Sequence, residues 1–117
     1  MNCKLIAVEN FRREAKRLSK KYASLKSEIE DLGNELVKDP RMGTPFGKSL
    51  YKVRIAVKSK GRGKSGGLRV ITRVVEVQLH VVENPIKTNI YLLSIYDKSE
   101  QSDISEKRLK EIIDSLT

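Results

Sequence analysis

The N-terminal third of the chain carries its apolar side chains at helical spacing. An apolar run over residues 3–8 predicts a short strand, and two periodic sets follow it: Phe11, Ala15, Leu18 and Tyr22, then Leu25, Ile29, Leu32 and Leu36. Apolar residues three and four positions apart form one stripe along a helix. Ser24, between the two sets, is a residue type favoured at helix N-termini. The pattern therefore predicts two short amphipathic helices that form a hairpin and end at Asp39-Pro40.

From Leu50 onward the period of the apolar positions changes to two, which is the period of a strand. This alternation predicts strands over residues 50–58, 68–81 and 89–96, with a turn at 83–85 between the last two. Before the first of these strands, the spacing of Gly43, Pro45 and Gly47 indicates a loop. After the last one, Ser105 can cap a helix whose apolar stripe is Leu109, Ile112, Ile113 and Leu116.

The predicted order of elements is β-α-α-β-β-β-α. A chain of 117 residues corresponds to one domain and leaves no room for a second core. We therefore predict a single α+β domain over residues 1–117, with an antiparallel sheet, an N-terminal helical hairpin and a C-terminal helix.

Composition excludes several classes of site. One cysteine excludes a disulfide framework and a cysteine-rich zinc site, and one histidine excludes every multi-histidine metal site. We expect no metal and no small-molecule cofactor. No apolar run approaches the roughly 18 residues of a membrane span, and the N-terminus lacks the apolar stretch of a signal peptide. We therefore expect a cytoplasmic protein with no membrane partner.

Positive charge is concentrated in the middle of the chain. The formal net charge is +9, and residues 40–75 contribute ten basic side chains and no acidic one, whereas the flanking segments mix both signs. A solvated surface usually intersperses the two signs. Their segregation here predicts a polyanionic partner, most simply a nucleic acid.

The glycine-rich segment 60–67 carries part of this charge. Gly63-Lys64-Ser65 matches the end of a phosphate-binding P-loop, but Lys58 stands where that motif needs its first glycine, and a strand follows instead of a helix. We therefore expect a flexible hairpin tip whose cations contact the phosphates of a nucleic acid. Its candidate RNA-binding residues are Lys58, Lys60, Arg62 and Lys64.

A second group of cations lies on the predicted strands. Lys52 and Arg54 lie two apart on one strand, and Arg69 and Arg73 lie on the outer face of the next. Like charges on neighbouring strands destabilise a sheet, so this face favours a functional explanation. A cationic face would bind phosphodiesters, with Arg73 as a further RNA-binding residue, and would stabilise the extra negative charge of a pentacoordinate phosphorane.

Three segments carry a resemblance to a known family: residues 50–55 (LYKVRI), 61–71 (GRGKSGGLRVI) and 92–98 (LLSIYDK). Together with the helical hairpin before them and the helix after them, they resemble the RelE/HigB-type toxins of bacterial type II toxin–antitoxin modules, in the RelE/ParE superfamily. The resemblance covers nearly the whole chain. It implies a RelE-like fold and a ribosome-dependent mRNA endonuclease (an mRNA interferase) that inhibits translation. The implied partners are the ribosome with its bound mRNA and a cognate antitoxin protein.

The resemblance also implies catalytic residues. Lys52, Arg54, Arg69 and Lys98 match the family positions that act on the scissile phosphate. Ile104 stands where RelE toxins carry a tyrosine, a departure that is nearer to the HigB branch. Tyr96, two residues before Lys98, is the candidate substitute for that tyrosine.

The mechanism we expect is metal-independent attack of the ribose 2′-OH on the adjacent phosphate. His80, the only histidine, has no acid or nucleophile at an instructive spacing. Lys52 would then act as the base, since crowding by Arg54 and Arg69 disfavours its charged form. Two alternatives stay open: a gyrase-inhibiting toxin on the same scaffold, and a basic RNA-binding module without catalytic activity.

Overall fold

The fold is a five-stranded sheet with three helices, in a computed structural model that describes residues 2–60, 67–78 and 86–116. The helices are α1 (Glu9–Lys21), α2 (Leu25–Lys38) and α3 (Glu106–Asp114). The strands are β1 (Asn2–Ala7), β2 (Thr44–Gly47), β3 (Leu50–Ile55), β4 (Leu68–Gln78) and β5 (Ile86–Asp97). These elements confirm the predicted α+β class.

The sheet has the strand order β1-β5-β4-β3-β2 and is mixed. Strands β2 to β5 pair antiparallel, but β1 runs parallel to β5, from Asn2 opposite Lys87 to Ala7 opposite Leu92. The prediction of a wholly antiparallel sheet is therefore wrong at this one pair. No local turn joins β1 to β5, so nothing in the adjacent sequence determines their relative direction.

Strand β2 occupies the segment that was predicted to be a loop. All four of its residues are exposed, so it has no apolar alternation from which a strand could be recognised. It lies at the edge of the sheet, where proline and glycine are tolerated because one side needs no ladder hydrogen bonds. Its pairing with β3 shifts register between Pro45 and Gly47, which makes Phe46 the extra residue of a bulge.

The predicted helical stripes form the core. Phe11 and Leu18 of α1 and Leu32 and Leu36 of α2 are buried together with the inner faces of β3, β4 and β5. Leu109 and Ile112 of α3 belong to the same cluster. A single hydrophobic core therefore joins the three helices to the sheet.

Helix α1 covers the edge of β5 beyond the end of β1. The Asn10 side-chain amide donates to the Leu93 carbonyl at 2.9 Å, and a Glu14 carboxylate oxygen accepts from the Ile95 backbone N–H at 3.3 Å and from the Ser94 hydroxyl at 2.8 Å. Side chains thus satisfy strand groups that no neighbouring strand reaches.

The two predicted caps differ in outcome. The Ser105 hydroxyl accepts from the Arg108 backbone N–H at 3.1 Å, as a helix cap should. Ser24 precedes α2 but makes no capping bond. Its hydroxyl instead donates to Glu28 at 3.0 Å and accepts from the Ser59 backbone N–H at 3.0 Å. Ser24 therefore ties the helical hairpin to the segment after β3.

That segment departs from the predicted strand. Strand β3 ends at Ile55, three residues earlier than predicted, and one turn of 3-10 helix covers Lys58–Lys60. The predicted hairpin tip with Arg62 and Lys64, the 83–85 turn and His80 lie outside the described residues.

Candidate nucleic-acid interface

Strand register brings three of the predicted site residues into one row across the sheet. Arg54 of β3 stands opposite Arg69 of β4, and Arg69 stands opposite Tyr96 of β5. Directly opposed residues project from the same face of a sheet. Arg54 is exposed, whereas Arg69 is 3% and Tyr96 1% exposed, so the row passes from the surface into the molecule.

The two arginines of this row are a costly arrangement for the fold. Burial, and then the nearby charge of Arg54, lower the pKa of Arg69 from its ordinary value, while the guanidinium donates to the Leu68 carbonyl at 3.2 Å. Like charges directly opposite each other destabilise a sheet. An anion bound between the two guanidinium groups would relieve this repulsion and would accept planar, paired hydrogen bonds.

Lys52 lies two residues before Arg54 and therefore on the same face of β3. Its ammonium lies 2.8 Å from a carboxylate oxygen of Asp103, in the segment before α3. The Tyr96 hydroxyl donates to the same oxygen at 3.2 Å, and the Ile104 backbone N–H donates to it at 2.8 Å. Asp103 thus connects β3, β5 and the segment before α3 through one carboxylate oxygen.

Asp103 is a site residue that the sequence analysis did not select. The hydrogen bond from Lys52 lowers the pKa of this carboxyl, with smaller help from Ile104 and Tyr96 against the effect of burial. Burial, and next the charge and hydrogen bond of Asp103, raise the pKa of Tyr96 to about 12, so the phenol is neutral at physiological pH. The available signal was an acid in the short segment between the last strand and the C-terminal helix, but such an acid is also typical of an ordinary turn.

Phe46 is the second residue that the sequence analysis missed. The Lys52 ammonium lies 5.3 Å from the centroid of its ring, and Phe46 is 39% exposed. One of only two phenylalanines therefore lies inside the acid-free segment and borders the cationic face. An aromatic residue among cations is the composition signal of single-strand binding, and it was overlooked because the segment was predicted to be a loop.

Two other predicted residues lie apart from the Arg54–Arg69–Tyr96 row. Lys98 is exposed in the turn that follows β5, and among the described residues it has no hydrogen-bond or ion-pair partner. Arg73 lies on the same face of β4 as Arg69, opposite Leu50. Lys52, Arg54, Arg69 and Arg73 therefore lie on one face of the sheet, although Arg69 is buried and the two arginines of β4 are separated by buried Ile71.

Lys60 does not lie in an exposed loop, and that expectation is wrong. Its side chain is 8% exposed, and its ammonium donates to a carboxylate oxygen of Asp97. Contact between Lys60 and RNA stays a prediction that requires this ion pair to open. Lys58 is exposed as expected, with its backbone N–H donating to Glu28 at 2.7 Å.

Asp97 is the centre of a buried polar cluster behind the interface. Its side chain is fully buried and accepts hydrogen bonds from Lys60, from the Tyr22 hydroxyl and from the Ser99 hydroxyl and backbone N–H. Burial alone would raise the pKa of this carboxyl, but these donors outweigh it and hold the pKa far below the ordinary value. We assign the cluster a structural role, because its members point inward and have partners.

No protein-family model matches the sequence. Within residues 2–60, 67–78 and 86–116, no group of three or more His, Cys, Asp or Glu side chains could hold a metal ion. No helix in that part of the chain has both the length and the apolar character needed to cross a membrane. The arrangement of the described residues itself, a cationic sheet face bordered by an aromatic ring and one carboxylate, suits an RNA phosphodiester and an unstacked base.

Proposed function

We propose that the chain is the toxin of a type II toxin–antitoxin module, a ribosome-dependent endonuclease that cleaves mRNA and is neutralised by a cognate antitoxin. The observation that carries this proposal is the opposed pair Arg54 and Arg69, with Lys52 on the same face. Three cations grouped on rigid strands are poorly suited to a purely structural face, and they suit a phosphate whose negative charge increases during reaction.

The reaction is transfer of the phosphoryl group within the RNA strand. The ribose 2′-oxygen attacks phosphorus in line, its proton passes to a base, and the bond to the 5′-oxygen breaks. The products are a 2′,3′-cyclic phosphate and a 5′-hydroxyl that has gained a proton. Arg54, which is exposed, and Arg69, which stands opposite it and is almost fully buried, supply positive charge to the non-bridging oxygens, on which charge accumulates in the phosphorane.

The role of Lys52 needs revision in view of its partner. The Lys52 ammonium donates a hydrogen bond to an Asp103 carboxylate oxygen at 2.8 Å, so in this structure Lys52 is a hydrogen-bond donor and not a base. The geometry supports a cationic role for Lys52 at the phosphorane. Asp103 is the nearest proton acceptor, although its hydrogen bonds make it a weak one.

Because the base is weak, alignment of the reacting atoms is the main source of the acceleration of cleavage. Holding the 2′-oxygen in line with the leaving oxygen can contribute many orders of magnitude without strong acid–base groups. The ribosome, which presents mRNA in a fixed conformation, is the proposed source of that geometry. The free protein should therefore cleave naked RNA slowly.

A second candidate, a basic RNA-binding module without catalysis, is favoured by the same Lys52–Asp103 ion pair. A resting site in which a carboxylate neutralises Lys52 resembles a binding surface as much as a reaction centre. The two candidates differ in one observable, the breaking of an RNA bond.

Ribosomes programmed with a defined mRNA and incubated with the protein distinguish the two. The nuclease proposal expects cleavage with a 2′,3′-cyclic phosphate terminus. Arg54→Ala, at an exposed position, should reduce the rate by about two or more orders of magnitude, while Lys26→Ala on exposed α2 should leave it unchanged. Intact mRNA with retained RNA binding would instead support the binding module.

Arg69 requires a gentler substitution than Arg54 because it is almost fully buried. Arg69→Lys keeps the positive charge and removes the planar fork that binds two phosphate oxygens. A folded Arg69→Lys variant, judged by its thermal unfolding, should lose most of its cleavage rate. Cleavage at the wild-type rate would remove Arg69 from the site.

A further inference from the structure

A second basic cleft lies at the edge of β4 where that strand extends past its pairing with β3, and Arg73 is the lining residue that it shares with the face of Arg54 and Arg69. It is an open cavity of about 430 Å³ lined by Arg41, Lys48, Ser49, Arg73 and residues 74–76. Arg73 is four positions along β4 from Arg69, which corresponds to roughly 13 Å at the usual rise of a strand. We refer to these lining residues as the Arg73 cleft.

Arg73 has an unused donor in this cleft. Its Nε is buried and has no hydrogen-bond partner among the residues that the structure describes. A buried N–H that stays unpaired is unfavourable, and native structures rarely keep one without a reason. An anion bound in the cleft would supply the missing acceptor.

The turn that forms one wall of the cleft is held in an unusual conformation. Ser49 has a φ of 62°, in the left-handed region that residues other than glycine seldom adopt. The Val74 backbone N–H donates to the Ser49 carbonyl at 2.9 Å and fastens the turn to β4. The fold thereby fixes the backbone of Lys48 beside Arg73, and strain retained in this way is typical of functional sites.

The charges of the Arg73 cleft favour an anionic ligand. Arg41, Lys48 and Arg73 contribute three cations, and Glu76 is the one carboxylate among the lining residues. Glu76 forms an ion pair with Arg41 at 3.0 Å, in which both side chains are about half exposed. Such an exposed pair is weak and is easily rearranged when a phosphate arrives.

The geometry points to the Arg73 cleft as a subsite for a second phosphodiester of the RNA strand that binds at Arg54 and Arg69. The inference rests on the proposed function for the identity of the ligand, a single-stranded RNA. The two positions share one face of β4, and the distance between them is longer than a single phosphate group can span. Only an RNA of several nucleotides reaches both.

The test measures the affinity of the full chain for labelled oligouridylates of about three to about twelve nucleotides. Fluorescence anisotropy reports binding in EDTA at several salt concentrations. The variants are Lys48→Ser, on an exposed turn, and Arg73→Gln. Lys26→Ser on α2 is the control. We expect both cleft variants to bind the shortest oligomers like the wild type and to bind the longer ones more weakly. On long oligomers the slope of log affinity against log salt should flatten by about 0.7 for each lost contact.

An equal loss on short and long oligomers, no loss with Lys48→Ser, or no binding of any length by the wild type would overturn the inference. Thermal unfolding identifies an Arg73→Gln variant that fails to fold, and Lys48→Ser then decides. The nuclease proposal is tested separately, by cleavage on ribosomes. If the protein leaves mRNA intact but the cleft variants show the length-dependent loss of affinity, the inference on the Arg73 cleft stands and the nuclease proposal fails.

Discussion

At the scale of single residues, Asp103 holds the position beside Lys52 and Tyr96 that a phosphate would take. It is joined to them by hydrogen bonds of ordinary length and is itself more than half exposed. The carboxylate therefore acts as an internal counter-ion for Lys52. Under the proposed function, an RNA phosphate displaces it before Lys52 becomes available.

Replacing this carboxylate should strengthen RNA binding. Asp103→Asn keeps the shape of the side chain and removes the negative charge that competes with phosphate. Exposed ion pairs contribute up to about 1 kcal/mol, so we expect the affinity for a long oligouridylate to rise by up to about fivefold. Glu106→Gln, at an exposed position in the first turn of α3, is the matched control. Weaker binding by Asp103→Asn would show that the carboxylate organises the site instead of competing for it.

At the scale of elements, the edge strand β2 places an aromatic side chain beside the face that carries Lys52 and Arg54. A bulge turns an extra side chain out of the regular alternation, and bulges are frequent next to functional sites. Here the extra residue is Phe46, whose ring lies against the Lys52 ammonium. Tyr96, the candidate substitute for the tyrosine of RelE toxins, is too deeply buried to stack on a base.

Phe46 should therefore contribute the stacking surface. Phe46→Ala is expected to weaken oligonucleotide binding by about 1–3 kcal/mol, the usual value of one stacked base, while Phe46→Tyr should bind like the wild type. Isothermal titration with a short oligouridylate measures both. Because the side chain is exposed, its loss should leave thermal unfolding nearly unchanged. Unchanged affinity of Phe46→Ala would exclude a stacked base at this position.

The elements also show what the sequence could and could not predict. The apolar stripe through Leu18 predicts a helix because its spacing repeats over several helical turns. The alternation around Val53 predicts a strand because its period of two is kept over several residues. The alternation predicted that Arg54 and Arg69 lie on neighbouring strands, but their direct opposition depends on the strand register, which only the structure gives. Asp103 and Phe46 could not be predicted in the same way, because an ion pair 51 positions apart and a bulge depend on tertiary packing.

At the scale of the whole molecule, the Asp97 cluster connects the helical hairpin, the turn after β3 and the end of β5. Replacing Asp97 by asparagine would leave the Lys60 ammonium buried without a counter-charge. Breaking a buried pair in this way usually costs about 3–5 kcal/mol. Urea unfolding should show that loss for Asp97→Asn and almost none for Glu30→Gln on the exposed face of α2.

The same cluster predicts a pH dependence. The pKa of Asp97 is lower in the folded state than in the unfolded chain, so folding is favoured by the ionised form. The stabilisation is fully present above about pH 4, near the ordinary pKa of an aspartate, and is lost as the pH falls further. The difference in unfolding free energy between wild type and Asp97→Asn should therefore be constant from about pH 5 to pH 8 and should shrink in stronger acid. A difference that already falls between pH 8 and pH 6 would contradict this assignment.

The Asp97 cluster also affects the kinetics of folding and unfolding. Its partners are distant along the chain, 75 positions to Tyr22 and 37 to Lys60, so long segments must be ordered before the contacts can form. Contacts of this kind are expected to form after the rate-limiting step of folding. Asp97→Asn should then refold at nearly the wild-type rate and unfold much faster, which stopped-flow measurements in urea would resolve. The buried carboxylate would thus set how long a folded molecule persists, with little influence on how quickly it is made.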